Sequence, residues 1–77
     1  MTDDYWIEQL KKGSREALRK IIEEHQDYVY SVAFKIVRNR ELAEEITQDV
    51  FVKVYRNIRS FRYESLFSTW LYTIVYR

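Results

Sequence analysis

The sequence predicts an all-α domain, and three observations carry that expectation. There is no proline and a single glycine in 77 residues, so little interrupts a helix. Apolar residues recur at three- and four-residue intervals over long stretches. Charged residues make up 32% of the chain and fall mostly on the opposite faces of those stretches, as amphipathic helices require.

Four helical segments follow in order. The first is expected from about Asp3 to Lys12, with Thr2 or Asp3 as its N-cap and Trp6, Ile7 and Leu10 facing inward. Gly13 after Lys11 and Lys12 reads as a C-terminal stop with cations in the last turn. Ser14 caps a second helix, which Glu16 suits in its first turn and which runs to about Arg38. Its apolar stripe is wide: Leu18, Ile21, Ile22, His25, Tyr28, Val29, Val32, Ala33, Ile36 and Val37. Asn39 is a turn residue. A third helix spans Arg40 or Glu41 to about Asn57, with Leu42, Ile46, Val50 and Val54 repeating at helical period and Phe51 and Ile58 widening the face. A connection from Arg59 to Leu66 precedes the last helix, for which Ser65 or Ser68 is the expected cap. Trp70, Leu71, Ile74 and Val75 point inward there. No stop signal precedes Arg77, so the chain is expected to end in mid-helix as a single domain, 1–77.

Composition excludes several function classes. Without cysteine there are no disulfides and no thiolate metal sites, which fits a cytoplasmic protein. No apolar run reaches the roughly eighteen residues of a membrane span, and the acidic start, Met1 to Leu10, is unlike a secretory signal. His25 lies on an apolar helical face and reads as a core or boundary residue; one histidine makes no metal site without several carboxylates beside it. Glu44, Glu45 and Asp49 read as dipole complements near a helix N-terminus. The expectation is a non-enzymatic protein with no cofactor and no metal.

Net charge is +1, but its distribution is uneven. Residues 1–49 carry eight Lys/Arg and eleven Asp/Glu; residues 50–77 carry five Lys/Arg and one acid, Glu64, with eight of the thirteen aromatic residues. The segment from Arg59 to Trp70 interleaves cations with aromatics. Cations track a phosphate backbone and aromatic faces stack on unpaired bases, so the segment suits single-stranded nucleic acid. Phe67, Trp70, Leu71 and Ile74 have core spacing, and Trp70 is expected to be core. Phe61, Tyr63 and the arginines, in a loop where burial is harder, are the better candidates for contact. A helix-turn-helix duplex reader needs a tight turn between two short helices, and the long connection argues against one. The acidic stripe Glu41, Glu44, Glu45, Gln48 and Asp49 reads from charge alone as a solvated face.

Ala43-Glu-Glu-Ile-Thr-Gln-Asp-Val-Phe-Val-Lys-Val-Tyr-Arg56, then Ile58-Arg-Ser-Phe61, then Phe67-Ser-Thr-Trp-Leu-Tyr72, resembles region 2 of bacterial sigma factors, closest to the extracytoplasmic-function (ECF) group. Lys12-Gly-Ser-Arg-Glu-Ala-Leu18 and Tyr28-Val-Tyr30 match the start of the same domain, so the resemblance covers nearly the whole chain.

The resemblance implies a three-helix core with a short leading helix. It implies a partner, the clamp helices of the RNA polymerase β′ subunit, bound through the third helix at Glu44, Glu45, Ile46, Gln48, Asp49 and Val52, with Lys53 and Tyr55 nearby. It also implies that promoter DNA is recognised at the melted −10 element on the non-template strand, a base being flipped into the loop Phe61, Arg62, Tyr63, Glu64, Ser65 and Leu66. Arg56, Arg59, Ser68 and Arg77 complete the expected DNA-contacting set. Arg77 stands where many relatives carry an asparagine, leaving the flipped base open. Thr73 and Ile74 stand where primary sigma factors carry a tryptophan pair, as expected for the ECF group. The second domain of the family, which reads the −35 element, is absent from the sequence; the chain is expected to be an excised domain, or half of a split factor partnered by a separate region 4 polypeptide. An anti-sigma factor is the further expected partner. The competing reading is a protein-interaction module that binds such a helical partner without DNA binding of its own.

Overall fold

The computed structural model describes residues 3–76. Helices α1 (Asp3–Lys11), α2 (Arg15–Val37) and α3 (Arg40–Asn57) are followed by a 3-10 turn, Ile58–Ser60, and helix α4 (Phe67–Val75). No strand occurs among the described residues. The helix boundaries follow from local chemistry. Gly13 adopts φ 90°, and the Ser14 N–H donates to the Gln9 carbonyl at 3.1 Å, closing α1 in a left-handed turn that glycine tolerates best. Ser14 then caps α2, its Oγ accepting the Ala17 N–H at 3.1 Å. The α2–α3 connection is two residues long. Arg38 takes the left-handed conformation (φ 52°) and donates its N–H to the Phe34 carbonyl, and the Asn39 side chain accepts the Leu42 N–H at 2.9 Å, capping α3. Thr2, the alternative cap for α1, lies outside the described residues.

The last helix begins differently from expectation. Neither Ser65 nor Ser68 caps it. Leu66 holds the N-cap position without a side-chain bond, and its carbonyl accepts the N–H groups of Thr69 and Trp70.

Helix α2, 23 residues long, sets the molecule's 34 Å long dimension, since a helix rises about 1.5 Å per residue. The other elements pack along it. The core joins Ile7 and Leu10 of α1, Ala17, Ile21 and Val29 of α2, Val50, Phe51 and Val54 of α3, and Phe67, Leu71 and Ile74 of α4. The leading helix is therefore an integral part of the domain. His25 is buried, as expected; its Nε2 lies 3.0 Å from Asp3 Oδ2 and its ring meets Phe67 edge-on at 5.1 Å. Trp70 is partly buried against the core.

Tyr28, placed in the apolar stripe of α2, is 38% exposed, and three further apolar expectations fail. On α3, Leu42 is 46% exposed while Ala43 is fully buried. Ala43 and the equally buried Ala33 flank the two-residue connection, where the helices diverge least and a small side chain fits. Ile36, in the last turn of α2, is 47% exposed. The third correction is Phe61. Expected at the surface, it is 3% exposed, because the 3-10 turn folds it back onto α4. Its ring centroid lies 5.5 Å from Phe67 and 5.3 Å from Trp70.

Emptying that position removes a large ring from a packed cluster. Phe61→Ala is expected to destabilise the domain by about 3–5 kcal/mol, a large share of the roughly 4–12 kcal/mol typical of a chain this size. Thermal unfolding followed by circular dichroism measures this; an unchanged melting temperature would place Phe61 outside the core.

Candidate functional site

The loop that follows the 3-10 turn is held at both ends. Asn57 Nδ2 donates to the Lys53 carbonyl at 2.9 Å, and Ser60 Oγ donates to the Asn57 carbonyl at 2.7 Å, one of those that the end of α3 leaves open. Phe61 then enters the core, and Phe67 enters it again at the start of α4. Between them Arg62, Tyr63, Glu64, Ser65 and Leu66 are all exposed, Leu66 at 75%. Of the expected DNA-contacting set, these five stand together on one projection. Arg56 and Arg59 are exposed nearby, lining a cleft of about 300 Å³ with Leu10, Lys11, Gly13, Tyr55 and Ile58. Ser68 is half-buried in the first turn of α4, and Arg77 lies outside the described residues. Phe61, being core, cannot stack on a base without leaving its cluster.

Among the described residues the ion pairs are Arg19 with Glu23 and His25 with Asp3; Arg56, Arg59 and Arg62 form none. Such exposed guanidinium groups suit phosphate contact.

Tyr63 departs from the simple picture of a free stacking aromatic. It adopts φ 61°, a left-handed conformation that costs a non-glycine residue on the order of 1 kcal/mol or more. Helix α1 supplies what holds it there. The Tyr63 hydroxyl donates to the Glu8 carboxylate. The Lys11 ammonium sits 4.6 Å over the Tyr63 ring and donates to the Phe61 carbonyl at 2.7 Å. The phenol pKa is pushed up to about 12 by desolvation against α1, by the Glu8 hydrogen bond and by the negative charges of Glu8 and Asp4. Glu8 and Lys11 escaped the sequence reading. They lie roughly fifty residues from the loop in sequence, and no local pattern signals so distant a contact.

The second surface is on α3. Glu44, Glu45, Gln48 and Asp49 are exposed, as are Val52 (48%) and Tyr55 (47%). Ile46 and Lys53 are half-buried. The eight residues do not share one face. Gln48, Val52 and Tyr55 form one wall of an apolar groove of about 340 Å³ whose other wall is Leu18, Ile22 and Gln26 of α2. Glu44 borders a polar depression with Gln26, Asp27 and Tyr30. Lys53 lies on the opposite flank, beside Trp70 and Ile74 of α4, and Ile46 packs against the core. The α2 wall was not singled out as functional beforehand, although Leu18 and Ile22 mark the edge of a stripe too wide for one helix neighbour to cover.

The geometry thus defines a small helical domain with an exposed loop beside unpaired arginines and a helix, acidic in its first half, that flanks an apolar groove. Among the described residues no cluster of three or more His, Cys, Asp or Glu is placed to hold a metal ion, and no helix is long and apolar enough to cross a membrane. The family description of sigma-70 region 2 matches residues 21–77. The chain is 40% identical over 68 residues, 88% of its length, to the ECF RNA polymerase sigma factor SigW of Bacillus subtilis (strain 168), covering 36% of that protein. It is 34% identical over 74 residues to the ECF RNA polymerase sigma-E factors of Haemophilus influenzae and Escherichia coli (strain K12), covering 96% of the chain and 39% and 38% of those proteins. The chain belongs to the sigma-70 region 2 family and is a region 2 domain of the ECF type. It spans under two fifths of the length of these relatives.

The Tyr63 contacts have a titration signature. A phenol whose folded-state pKa is raised contributes stability that is complete below its unfolded value, near 10, and is lost as pH rises through about 12. Tyr76, whose pKa is raised by the Tyr72 hydroxyl, also titrates late, so the comparison is by difference. In a spectrophotometric titration Tyr63→Phe is expected to remove one late tyrosinate step and to soften the loss of stability above pH 10. A lost step at the ordinary tyrosine value near 10 would contradict the Glu8 contact.

Proposed function

We propose that this chain is the part of a transcription initiation factor that docks on RNA polymerase and receives melted promoter DNA, without catalysing a reaction. The observation that carries the reading is the loop Arg62 to Leu66. It is exposed between two buried phenylalanines, with Arg56 and Arg59 beside it and, among the described residues, no carboxylate paired to any of the three arginines. A short projection held at both ends, edged by free cations, suits a single strand whose base has been turned out of the stack. Family membership and the names of the ECF relatives support the same role. On this reading the non-template strand of the −10 element meets Arg62, Glu64, Ser65 and Leu66, with Arg56, Arg59 and Ser68 toward its phosphates. Tyr63 holds the loop's shape in place of stacking.

Docking on the polymerase falls to α3. Glu44, Glu45, Gln48, Asp49 and Val52 offer an acidic surface with an apolar edge, suited to the basic and apolar side chains of a helical partner such as the β′ clamp helices; charge complementarity of this kind speeds encounter. Ile46, half-buried against the core, supports that surface from behind. Lys53 and Tyr55 extend it to either flank. Such a factor works in the cytoplasm, where the polymerase is, alongside a region 4 domain that reads the −35 element. A second reading has its own support. The apolar groove of Leu18, Ile22, Phe51, Val52 and Tyr55 fits a helix laid along it, as an anti-sigma factor would supply, and such a partner would compete with the polymerase.

Fluorescence anisotropy with a short oligonucleotide of non-template −10 type separates these readings. Binding is expected to be weak and salt-sensitive, with a slope of log K against log salt of about −2 for three phosphate contacts. Arg62→Ala is expected to reduce that slope by about 0.7, and Leu66→Ala to weaken binding without changing the slope. Equal binding of a scrambled or duplex control would end the claim of a specific loop site. Gln48→Ala with Asp49→Ala should leave oligonucleotide binding unchanged and weaken capture of core polymerase; capture at wild-type strength would move the polymerase surface elsewhere.

A further inference from the structure

We propose that the leading helix is a working part of the DNA-contacting loop: Glu8 and Lys11 are positioning residues that hold Tyr63, and through it Arg62 to Leu66, in the conformation that receives a single strand. The inference rests on the DNA-binding reading above and deepens it.

Three contacts run from one face of α1 to the loop. The Glu8 carboxylate accepts from the Tyr63 hydroxyl. Lys11 donates to the Phe61 carbonyl at 2.7 Å, and its ammonium also lies 4.6 Å from the centroid of the Tyr63 ring. Glu8 and Lys11 are three residues apart, hence neighbours on the helix surface. Ile7 and Leu10, beside them, are buried in the core, so the core sets the rotation of α1 and thereby aims both polar side chains at the loop. Helix α1 also lies outside the residues that match the family description, 21–77.

The Tyr63 backbone makes these contacts necessary. A bulky side chain at φ 61° persists only where its surroundings over-determine it. Here the ring is occupied by Lys11 and lies 4.9 Å from Phe61, and the hydroxyl is occupied by Glu8. Without those contacts the loop would relax toward the ordinary φ < 0 region and turn Arg62 and Leu66 away from their present directions. A loop already in its bound shape binds more tightly than one that must be ordered.

Glu8 also makes the test sharp, because electrostatics and positioning predict opposite signs. Removing a carboxylate beside a basic loop tightens binding to a polyanion if charge alone acts. If Glu8 positions the loop, Glu8→Ala weakens oligonucleotide binding, by about three- to tenfold. Glu8→Gln, which keeps an acceptor for the hydroxyl, restores at least wild-type affinity. In a Tyr63→Gly background, where glycine tolerates the backbone and no hydroxyl remains, Glu8→Ala weakens nothing further. Amide hydrogen exchange over residues 61–66 is measured on the same full-chain variants. Faster exchange in Glu8→Ala and wild-type exchange in Glu8→Gln are the expected result. Unchanged exchange in Glu8→Ala, tighter binding by it, or the same loss from it in the Tyr63→Gly background overturns the proposal. Faster exchange in Glu8→Ala, with oligonucleotide binding indifferent to every variant including Arg62→Ala, leaves the tie to α1 standing and overturns instead the DNA-binding reading on which the proposal rests.

Discussion

The two buried phenylalanines on either side of the loop, Phe61 and Phe67, govern how this domain presents itself. Their rings meet edge-on at 5.5 Å, and Trp70 lies within 5.7 Å of both. Aromatic pairs in this geometry contribute about 0.5–1.5 kcal/mol each beyond their burial. The consequence is more than stability. With both ends driven into the core, the five residues between have little freedom to spread, and their polar and charged groups can only project outward. A longer or unpinned connection would leave the same arginines on a mobile tether, and ordering that tether on binding would offset much of what the contacts contribute.

The same core divides the molecule's chemistry. Helix α3 belongs to both halves: its first turns carry the acids Glu41, Glu44, Glu45 and Asp49, and its last turn carries Arg56. The division complements the helix dipole, and it also separates a surface suited to a basic protein partner from one suited to nucleic acid. Because α3 is rigid and continuous, a partner docked on its acidic half would carry the basic loop to a fixed place on that partner. Two weak surfaces joined by a stiff helix act together far better than either alone. That is a physical reason for a small domain to carry both.

Much of this was legible in the sequence, and the failures have identifiable causes. Helix ends were readable where the signal is local: Ser14 and Asn39 cap as their side-chain chemistry dictates, and Gly13 stops α1 by tolerating φ 90°. Ser65 and Ser68 carried the same local signal and do not cap; burial of Phe67 sets where α4 starts. Leu42 fitted the apolar period, yet the two-residue connection favours the smaller Ala43 inside. Phe61 was the instructive error. A loop position ordinarily implies exposure, but the 3-10 turn returns the chain to the core after three residues. The exposed cations and Leu66 were readable from composition. The Glu8 and Lys11 contacts were not, since side-chain contacts across the domain leave no periodic trace.

The central claim is that one surface of this domain, the loop with its neighbouring arginines, meets single-stranded DNA while the acidic face of α3 remains free for another partner. Chemical-shift mapping of the isotopically labelled chain during titration with a non-template −10 oligonucleotide tests it most directly. The account predicts perturbations concentrated at Arg62 to Leu66 and around Arg56 and Arg59, with Glu44, Glu45 and Gln48 unmoved. Perturbations centred on the α2–α3 groove, or spread evenly over every exposed cation including Arg19 and Lys35, would contradict it.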